Sequence, residues 1–240
     1  MKIAIFSDVH ANIQALETVW DDLKRQEPDE VYCLGDLVGY GANPNEVIEF
    51  IRDKNVPTIM GNYDNGVGLE LDTCGCKYTN PRLEHLGELS IWWSRGHTSQ
   101  ANKDYLQALP KEIRLRDRGQ NVLLVHGSPR SLHEYLPEER PTVTFERIAK
   151  VAECDIMIFG HTHIPYEKRV GETLFVNTGS VGRPKDGDPR AGYVVLEEGE
   201  IEFRRVAYDM QAAAQAIRAS DLPEYYADEL LAGRELETVP

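Results

Sequence analysis

Short apolar runs and helical patterns alternate from residue 2 to residue 159. Residues 2–6 are almost entirely apolar and predict a buried strand, and residues 12–26 carry apolar side chains at the spacing of an amphipathic helix. Further buried strands are predicted at residues 31–34, 58–60, 121–125 and 155–159. Strands that alternate with helices are typical of a parallel sheet, so the pattern predicts an α/β fold.

A second helix is predicted from Asn43 to about Asp53. Asn43 suits the cap, Pro44 suits the first helical position, and Glu46 stands where a capping box places its acidic partner. Another helix is predicted over residues 145–151 from its apolar spacing.

Residues 65–118 interrupt the alternation and predict a mainly helical insertion. An apolar stripe that includes Trp92 and Trp93 indicates a helix, and we expect both indole rings to pack against the sheet. Residues 113–116 alternate like a half-exposed strand.

Beyond residue 163 the pattern changes to short strands joined by tight turns. These strands are predicted at residues 167–170, 173–177, 192–196 and 201–206. Turns at 171–172 and 198–199 predict antiparallel hairpins. Residues 209–240 predict a helical tail whose apolar side chains offer a surface for a homodimer. Since no repeat or linker interrupts the chain, one domain over residues 1–240 is the simplest interpretation.

The charge balance restricts the partners. The 240 residues are 41% hydrophobic and 28% charged, with a formal net charge of −14. Such a charge disfavours binding to nucleic-acid polymers or to anionic membranes, so a phosphate-bearing substrate requires local positive charge, such as metal ions. No apolar run approaches the length of a membrane span, and residues 1–7 lack the features of a signal peptide, so we expect a cytoplasmic protein.

The four cysteines do not resemble a disulfide framework. Cys33 and Cys154 lie in apolar runs and are interpreted as small buried thiols. The pair in Cys74-Gly75-Cys76 is interpreted as two thiols in a reducing compartment, because a structural zinc site requires two more ligands.

Polar side chains suited to metal binding follow the predicted strands. Asp8 and His10 come directly after the first strand and, two residues apart, fall on the same side of an extended backbone. In α/β sheets, ligands gather at the carboxyl ends of the strands. The full set of candidate ligands comprises Asp8, His10, Asp36, Asn62, His126, His161 and His163.

This mixture of imidazole, carboxylate and amide groups suits Mn, Fe, Co, Ni or Zn. Seven protein ligands are too many for one ion that also holds water, so two ions that share one carboxylate fit better. Two such ions can hold a hydroxide between them and clamp a phosphoryl group. Gly35 and Gly61 precede two of the ligands and allow the backbone to turn tightly there.

The ordered blocks around these ligands resemble those of the calcineurin-like metallophosphoesterase family. The blocks are Asp8-Val9-His10, Gly35-Asp36-Leu37-Val38-Gly39, Gly61-Asn62-Tyr63-Asp64, Val125-His126-Gly127 and Gly160-His161-Thr162-His163. Together with the hairpins and the segment 179–184, they are similar to the small bacterial and archaeal branch of the family.

The resemblance implies a four-layer α-β-β-α sandwich of two packed mixed sheets flanked by helices. It also implies that Asp8, His10, Asp36 and His163 hold one ion, and that Asp36, Asn62, His126 and His161 hold the other. The implied activity is hydrolysis of a small phosphomonoester or phosphodiester by a metal-bridging hydroxide, with Mn as the favoured metal.

Tyr63 departs from the family pattern, which often has histidine at this position to stabilise or protonate the leaving oxygen. A tyrosine with an ordinary pKa of about 10 is a poor acid at neutral pH. Asp64, the acidic partner, is retained, and Arg183 in a glycine-rich loop is a candidate phosphate contact. The alternative function is a catalytically weak, metal-binding interaction scaffold of the same fold.

Overall fold

The computed structural model describes residues 1–76 and 80–236. The strands, in chain order, are β1 Lys2–Phe6, β2 Glu30–Cys33, β3 Glu112–Asp117, β4 Gln120–Val125, β5 Ile156–Phe159, β6 Tyr166–Val170, β7 Thr173–Asn177, β8 Ala191–Glu197 and β9 Glu200–Val206. The helices are α1 Ile13–Gln26, α2 Pro44–Asp53, α3 Asn62–Gly68, α4 Pro81–His97, α5 Gln100–Gln107, α6 Thr142–Ala152, α7 Met210–Arg218 and α8 Tyr225–Ala232.

The described strands form two mixed sheets. One has the order β2-β1-β8-β9, with β1 and β2 parallel and the other pairs antiparallel. The second has the order β3-β4-β5-β7-β6, with β4, β5 and β7 parallel and both edge strands antiparallel. This arrangement confirms the predicted α/β fold and the two predicted hairpins, β6–β7 and β8–β9.

Strand residues alternate between two hydrophobic layers. Ile3 and Ile5 of β1 pack between the sheets against Ile156 and Ile158 of β5. Their neighbours on β1 point the other way, toward α1, α2 and α7, and those on β5 point toward α6. Because successive side chains of a strand face opposite sides, each central strand is buried on both faces. The result is the four-layer sandwich that the family resemblance implied.

The predicted strand at residues 58–60 is wrong. Thr58 forms only an isolated parallel bridge with Cys33 of β2. Ile59 N still donates to Cys33 O at 3.0 Å, but Met60 N turns to Pro110 O at 2.7 Å. Pairing with β2 therefore stops after one step, and the segment passes directly into the loop before α3.

The start of α2 differs in one detail from the prediction. Pro44 occupies the first turn as expected, but the Asn43 side chain makes no capping hydrogen bond. The backbone N–H of Asn43 donates instead to Ala11 O at 3.0 Å, which ties this turn to the loop after β1. The predicted capping box is therefore absent from this described helix start.

Helices α3, α4 and α5 confirm the predicted helical insertion over its described part, while its residues 77–79 lie outside the described residues. Trp93 is buried, but Trp92 is 69% exposed, so the expectation that both rings pack inward is wrong for Trp92. Adjacent helical positions point about 100° apart, and in α4 Trp93 faces the core while Trp92 faces solvent. Helices α7 and α8 confirm the helical tail as far as Ala232, residues 233–236 are not helical, and residues 237–240 lie outside the described part. Every described helix is too short or too polar to span a membrane.

Candidate metal centre

The candidate ligands gather where the carboxyl ends of strands from both sheets meet. Each follows a strand or begins a helix: Asp8 and His10 follow β1, Asp36 follows β2, Asn62 opens α3, His126 follows β4, and His161 and His163 follow β5. All are buried, and His161, at 9% exposed, is the most accessible of them. The structure thus brings all seven predicted side chains into one cluster.

Most of these residues have a backbone conformation that non-glycine residues rarely adopt. The affected ligands and their φ angles are Asp8 56°, His10 49°, Asp36 54°, His161 68° and His163 62°. Each such left-handed residue costs about 1–3 kcal/mol and persists only where its surroundings enforce it. Five such residues in one buried cluster support the interpretation of this cluster as a candidate site.

Two glycines make this packing possible for different reasons. Gly35 has φ of 86°, a conformation that glycine adopts at little cost. Gly61 has an extended backbone with φ of −90°, so the expected tight turn is wrong there. A Cβ at Gly61 would lie 2.1 Å from Asp36 Oδ1, so this glycine is required for space.

The ligand atoms form two groups. Asp8, His10 and His163 offer atoms within 4.8 Å of one another, and so do Asp36, His126 and His161. In the first group, Nε2 of His10 lies 3.1 Å from Nε2 of His163. In the second, Nε2 of His126 lies 3.2 Å from Nδ1 of His161. Facing imidazole nitrogens at this distance suit a shared cation.

Asp36 connects the two groups. Its Oδ1 accepts a hydrogen bond from Tyr63 N at 2.8 Å. Its Oδ2 lies 3.7 Å from His10 Nε2 and 3.4 Å from His126 Nε2. One carboxylate oxygen therefore faces both groups while the backbone holds the other.

Three histidines are oriented through the ring nitrogen that points away from the cluster. Nδ1 donates to a carbonyl oxygen in each case: His10 to Val38 at 2.9 Å, His126 to Leu34 at 2.9 Å, and His163 to Arg183 at 2.6 Å. A proton on Nδ1 leaves Nε2 as the lone-pair nitrogen, the arrangement typical of metal-binding histidines.

Burial and mutual charge set the protonation of these groups. Burial and the charge of neighbouring histidines together lower the pKa of His10 to about 3 and the pKa of His161 to about 3, although Asp36 and Asp8 oppose the shift. Burial opposes the charge of Asp8, but His163 and the other histidines lower its pKa below the usual range. Burial opposes the charge of His126, but Asp36 and Asp8 raise its pKa to about 10. His10 and His161 are therefore neutral, as a divalent ion requires, whereas an ion bound at His126 would displace a proton from it.

The donor set fits a pair of divalent ions. Asp8 Oδ1 is fully buried and accepts no hydrogen bond within the described part of the chain. His163 Nε2 lies 3.3 Å from it. Asp8 Oδ2, in contrast, accepts from His161 N at 3.0 Å. A buried, unsatisfied carboxylate oxygen is costly unless a cation or a donor occupies the space before it.

Asp64 braces the loops of the cluster. Its Oδ2 accepts the N–H of Asp36 at 2.7 Å and of Gly61 at 2.9 Å, and its Oδ1 accepts the N–H of Leu37 at 2.9 Å. Both oxygens are therefore engaged by backbone donors, which position Asp36 and the start of α3.

Tyr63 lies within the cluster, and Arg183 lies beside it. The ring of Tyr63 is 1% exposed and stands 5.5 Å from the ring of His10, centre to centre. The Arg183 guanidinium is buried, pairs with Glu229 of α8 through Nε at 2.9 Å, and lies 3.9 Å from the ring centre of Tyr40. Its charge is thus already neutralised by Glu229.

Sequence reasoning missed Tyr40, Tyr135 and Glu229. Tyr40 follows the Gly35–Gly39 block directly, and its ring stands 5.0 Å from that of His10, so its position beside a motif was an available signal. Tyr135 is 41% exposed with its ring 5.7 Å from that of His161. Glu229 lies in the tail, where no sequence pattern connects it to the cluster.

Comparisons with known proteins test the family resemblance. The sequence profile of the calcineurin-like phosphoesterase superfamily domain matches residues 1–200. An uncharacterized protein of Methanocaldococcus jannaschii, MJ0912, is 34% identical over 97% of this chain and 98% of its own length. Phosphodiesterase YfcE of Escherichia coli strain K12 is 25% identical over 82% of this chain and 88% of its own length.

A solved structure shows the same similarity in three dimensions. The metallophosphoesterase from Sphaerobacter thermophilus superposes with a TM-score of 0.79 at 31% identity, over 97% of this chain and 99% of its own. The family that the ordered sequence blocks predicted is therefore confirmed. The chain belongs to the calcineurin-like phosphoesterase superfamily, a family of metal-dependent phosphoesterases.

Proposed function

We propose that the protein hydrolyses a small phosphomonoester or phosphodiester at a centre of two divalent metal ions. The observation that carries the proposal is the position of Asp36, whose Oδ2 faces both histidine groups, at 3.7 Å from His10 Nε2 and 3.4 Å from His126 Nε2. One group with Asp36 would hold the first ion, and the other with Asn62 would hold the second. Mn is the favoured metal, and Fe, Co, Ni and Zn suit the same donors.

When bound, two such ions supply a hydroxide nucleophile at neutral pH and stabilise charge on the phosphoryl group. The protein's contribution is to hold the donor atoms fixed. The carbonyl oxygens of Val38, Leu34 and Arg183 orient the three histidines, and Asp64 holds the loops that carry Asp36 and Asn62.

Two further residues beside the centre have roles in this proposal. Tyr63, whose ring lies 5.5 Å from that of His10, would donate a hydrogen bond near the leaving oxygen. Arg183 contributes through its backbone carbonyl and its contact with Tyr40, and it reaches phosphate only if the Glu229 pair opens. Its proposed role as a phosphate contact therefore depends on movement of that ion pair.

The proposal is tested by metal analysis combined with a substrate panel. We expect two Mn ions per chain at saturation, complete loss of hydrolysis after chelation, and recovery when Mn is added. The panel compares an aryl phosphomonoester, an aryl phosphodiester and a dinucleoside tetraphosphate.

Fewer than one ion per chain under saturating Mn would contradict the two-metal centre. Two bound ions without hydrolysis of any substrate in the panel would favour the alternative function, a metal-binding interaction scaffold. Tyr63, which stands where the family often has histidine, is the feature that supports this alternative. Asp53→Asn, at an exposed carboxylate at the end of α2, is the matched control and should retain both ions and activity.

A further inference from the structure

The Cys74-Gly75-Cys76 loop, between α3 and α4, brings two thiols together beside the candidate metal centre. The sulfur atoms are 2.8 Å apart, with Cys74 buried and Cys76 half-buried. Gly75 has φ of 73°, a left-handed conformation that lets the chain reverse between them. A Cβ at Gly75 would lie 2.7 Å from the His133 ring, so the loop also packs closely on that side chain.

The loop contacts the amide of Asn62. Asn62 Nδ2 donates to Cys74 O at 3.2 Å and to Cys76 Sγ at 3.3 Å. At the other end of the same amide, Oδ1 lies 2.9 Å from His126 Nε2. Because an amide has a donor end and an acceptor end, the two acceptors from the loop determine that its oxygen faces the metal centre.

We propose that Cys74 and Cys76 are a reversible oxidation site, whose dithiol and disulfide states hold the Asn62 amide differently. The dithiol state is the one that presents Asn62 Oδ1 to the centre. The thiols are already close, since a disulfide bond of about 2.05 Å requires only a small approach from their present separation. Disulfides of this kind in reducing compartments are usually transient and regulatory.

The co-reactant is a low-molecular-weight disulfide such as oxidised glutathione. Cys76, the more accessible thiol, attacks one sulfur of the co-reactant as its thiolate, which forms a mixed disulfide and releases one small thiolate. Cys74 then attacks Cys76 Sγ, which forms the Cys74–Cys76 bond and releases the second small thiolate. The protein loses two electrons and two protons, and the two released thiolates take up the protons.

Closing this bond changes the acceptors of Asn62. Cys76 Sγ must move toward Cys74, and the peptide between them must rotate, so both hydrogen bonds to Asn62 Nδ2 are altered. The consequence for metal binding rests on the proposed two-metal centre, whereas the thiol chemistry and the movement of Asn62 do not. We expect oxidation to weaken Mn binding at the Asn62 site by about 10–100-fold, as for loss of an outer-shell partner.

The first test is made on metal-free protein. Full-length protein is incubated with excess oxidised glutathione, quenched, alkylated and analysed by mass spectrometry. We expect a Cys74–Cys76 disulfide that dithiothreitol reverses, whereas Cys74→Ser should stop with glutathione attached to Cys76. Cys154→Ser, which removes a half-buried thiol after α6, is the matched control and should oxidise like the wild type. Alkylation of both thiols after oxidant treatment, or glutathione that stays on wild-type Cys76, would overturn the proposal.

The second test follows Asn62 itself. The side-chain amide signals of Asn62, identified by their loss in Asn62→Asp, should shift on oxidation in the metal-free wild type and should not shift in Cys76→Ser, which lacks the attacking thiol. A disulfide that forms without moving these signals would overturn the coupling to Asn62.

Mn titration then compares the two redox states. Weaker binding of one ion after oxidation supports the proposal, and unchanged binding of two ions contradicts its consequence for the centre. If even the reduced protein binds no Mn, the proposed function fails, while the thiol and amide measurements still decide this inference.

Discussion

Asp36 can face both ligand groups because a backbone hydrogen bond fixes one of its carboxylate oxygens and leaves the other between the groups. Tyr63 N binds Oδ1, and Oδ2 is left between His10 and His126. Asn62, in contrast, contacts the second group, through His126.

We predict that Asp36→Asn reduces occupancy of both metal positions. It should lower activity by more than about 100-fold, because loss of an outer-shell partner alone typically costs about 10–100-fold. The substitution keeps the shape but removes the negative charge that both ions would share. Asn62→Ala should affect one position and lower activity less. Metal content and kcat/KM of the two variants test this, and an Asp36→Asn enzyme with most of its activity would show that Asp36 does not connect the ions.

Tyr63 gives a second prediction. If stabilisation of the leaving oxygen limits the rate, an aryl ester should be cleaved well and an alkyl ester poorly. Tyr63→His should then raise the alkyl rate and leave the aryl rate nearly unchanged. General acids are typically worth about 10²–10⁴-fold, and we expect the lower end, because the Asp64 oxygens already accept backbone hydrogen bonds and are poorly placed to orient a new imidazole.

The competing role for Tyr63 is to position the substrate. In that case Tyr63→His should slow both esters together, and Tyr63→Phe should already be impaired on the aryl ester. Steady-state rates of the three proteins on matched aryl and alkyl esters distinguish the two roles, and equal losses on both esters would decide for positioning.

At the scale of elements, the sequence predicted those features that depend on residues close together in the chain. Each ligand directly follows an apolar run or begins a helix, so its place at the sheet edge could be predicted from the sequence. The absence of a strand at residues 58–60 could not be predicted from the sequence. It depends on Pro110, which is distant in the chain and whose carbonyl oxygen accepts the hydrogen bond from Met60 N. The same applies to Glu229 and to Cys76, which reach the centre only through the packing of the tail and of the insertion.

Helix α8 is attached to the centre by a buried ion pair. Arg183 and Glu229 are 7% and 1% exposed, and the carbonyl of the same Arg183 orients His163. Breaking a buried pair by removing one partner leaves an uncompensated charge, whereas exposed pairs contribute little.

We therefore predict that Glu229→Gln lowers the free energy of unfolding by about 3–5 kcal/mol. Asp228→Asn, on the same helix, breaks the half-exposed pair with Arg218 and should cost under about 1 kcal/mol. Urea denaturation of both variants measures the difference. Equal, small losses would show that the buried pair does not hold α8, and Glu229→Gln combined with Arg183→Met should recover part of the loss.

At the scale of the whole molecule, charge opposes the approach of the proposed substrate. The chain carries 40 acidic and 26 basic Lys and Arg side chains, and its net charge is −14. Arg183, a basic residue beside the centre, is already paired with Glu229. Bound metal ions would attract phosphate at short range, but at low ionic strength the net charge acts over a longer distance, since the screening length is about 30 Å at 0.01 M salt and about 8 Å at 0.15 M.

We predict that kcat/KM for an aryl phosphomonoester dianion rises, by up to about 10-fold, when KCl is raised from about 0.01 to about 0.15 M. Added salt screens the repulsion between two negative partners and so speeds their encounter. An aryl phosphodiester carries one negative charge, so its kcat/KM should rise less, and kcat of both substrates serves as the internal control because it does not include the encounter. The measurement is a salt series at fixed pH and saturating Mn. A kcat/KM that falls with salt for both esters would mean that the positive field of the metal-loaded centre governs the approach, and that the acidic surface lies too far from the substrate's path to oppose it.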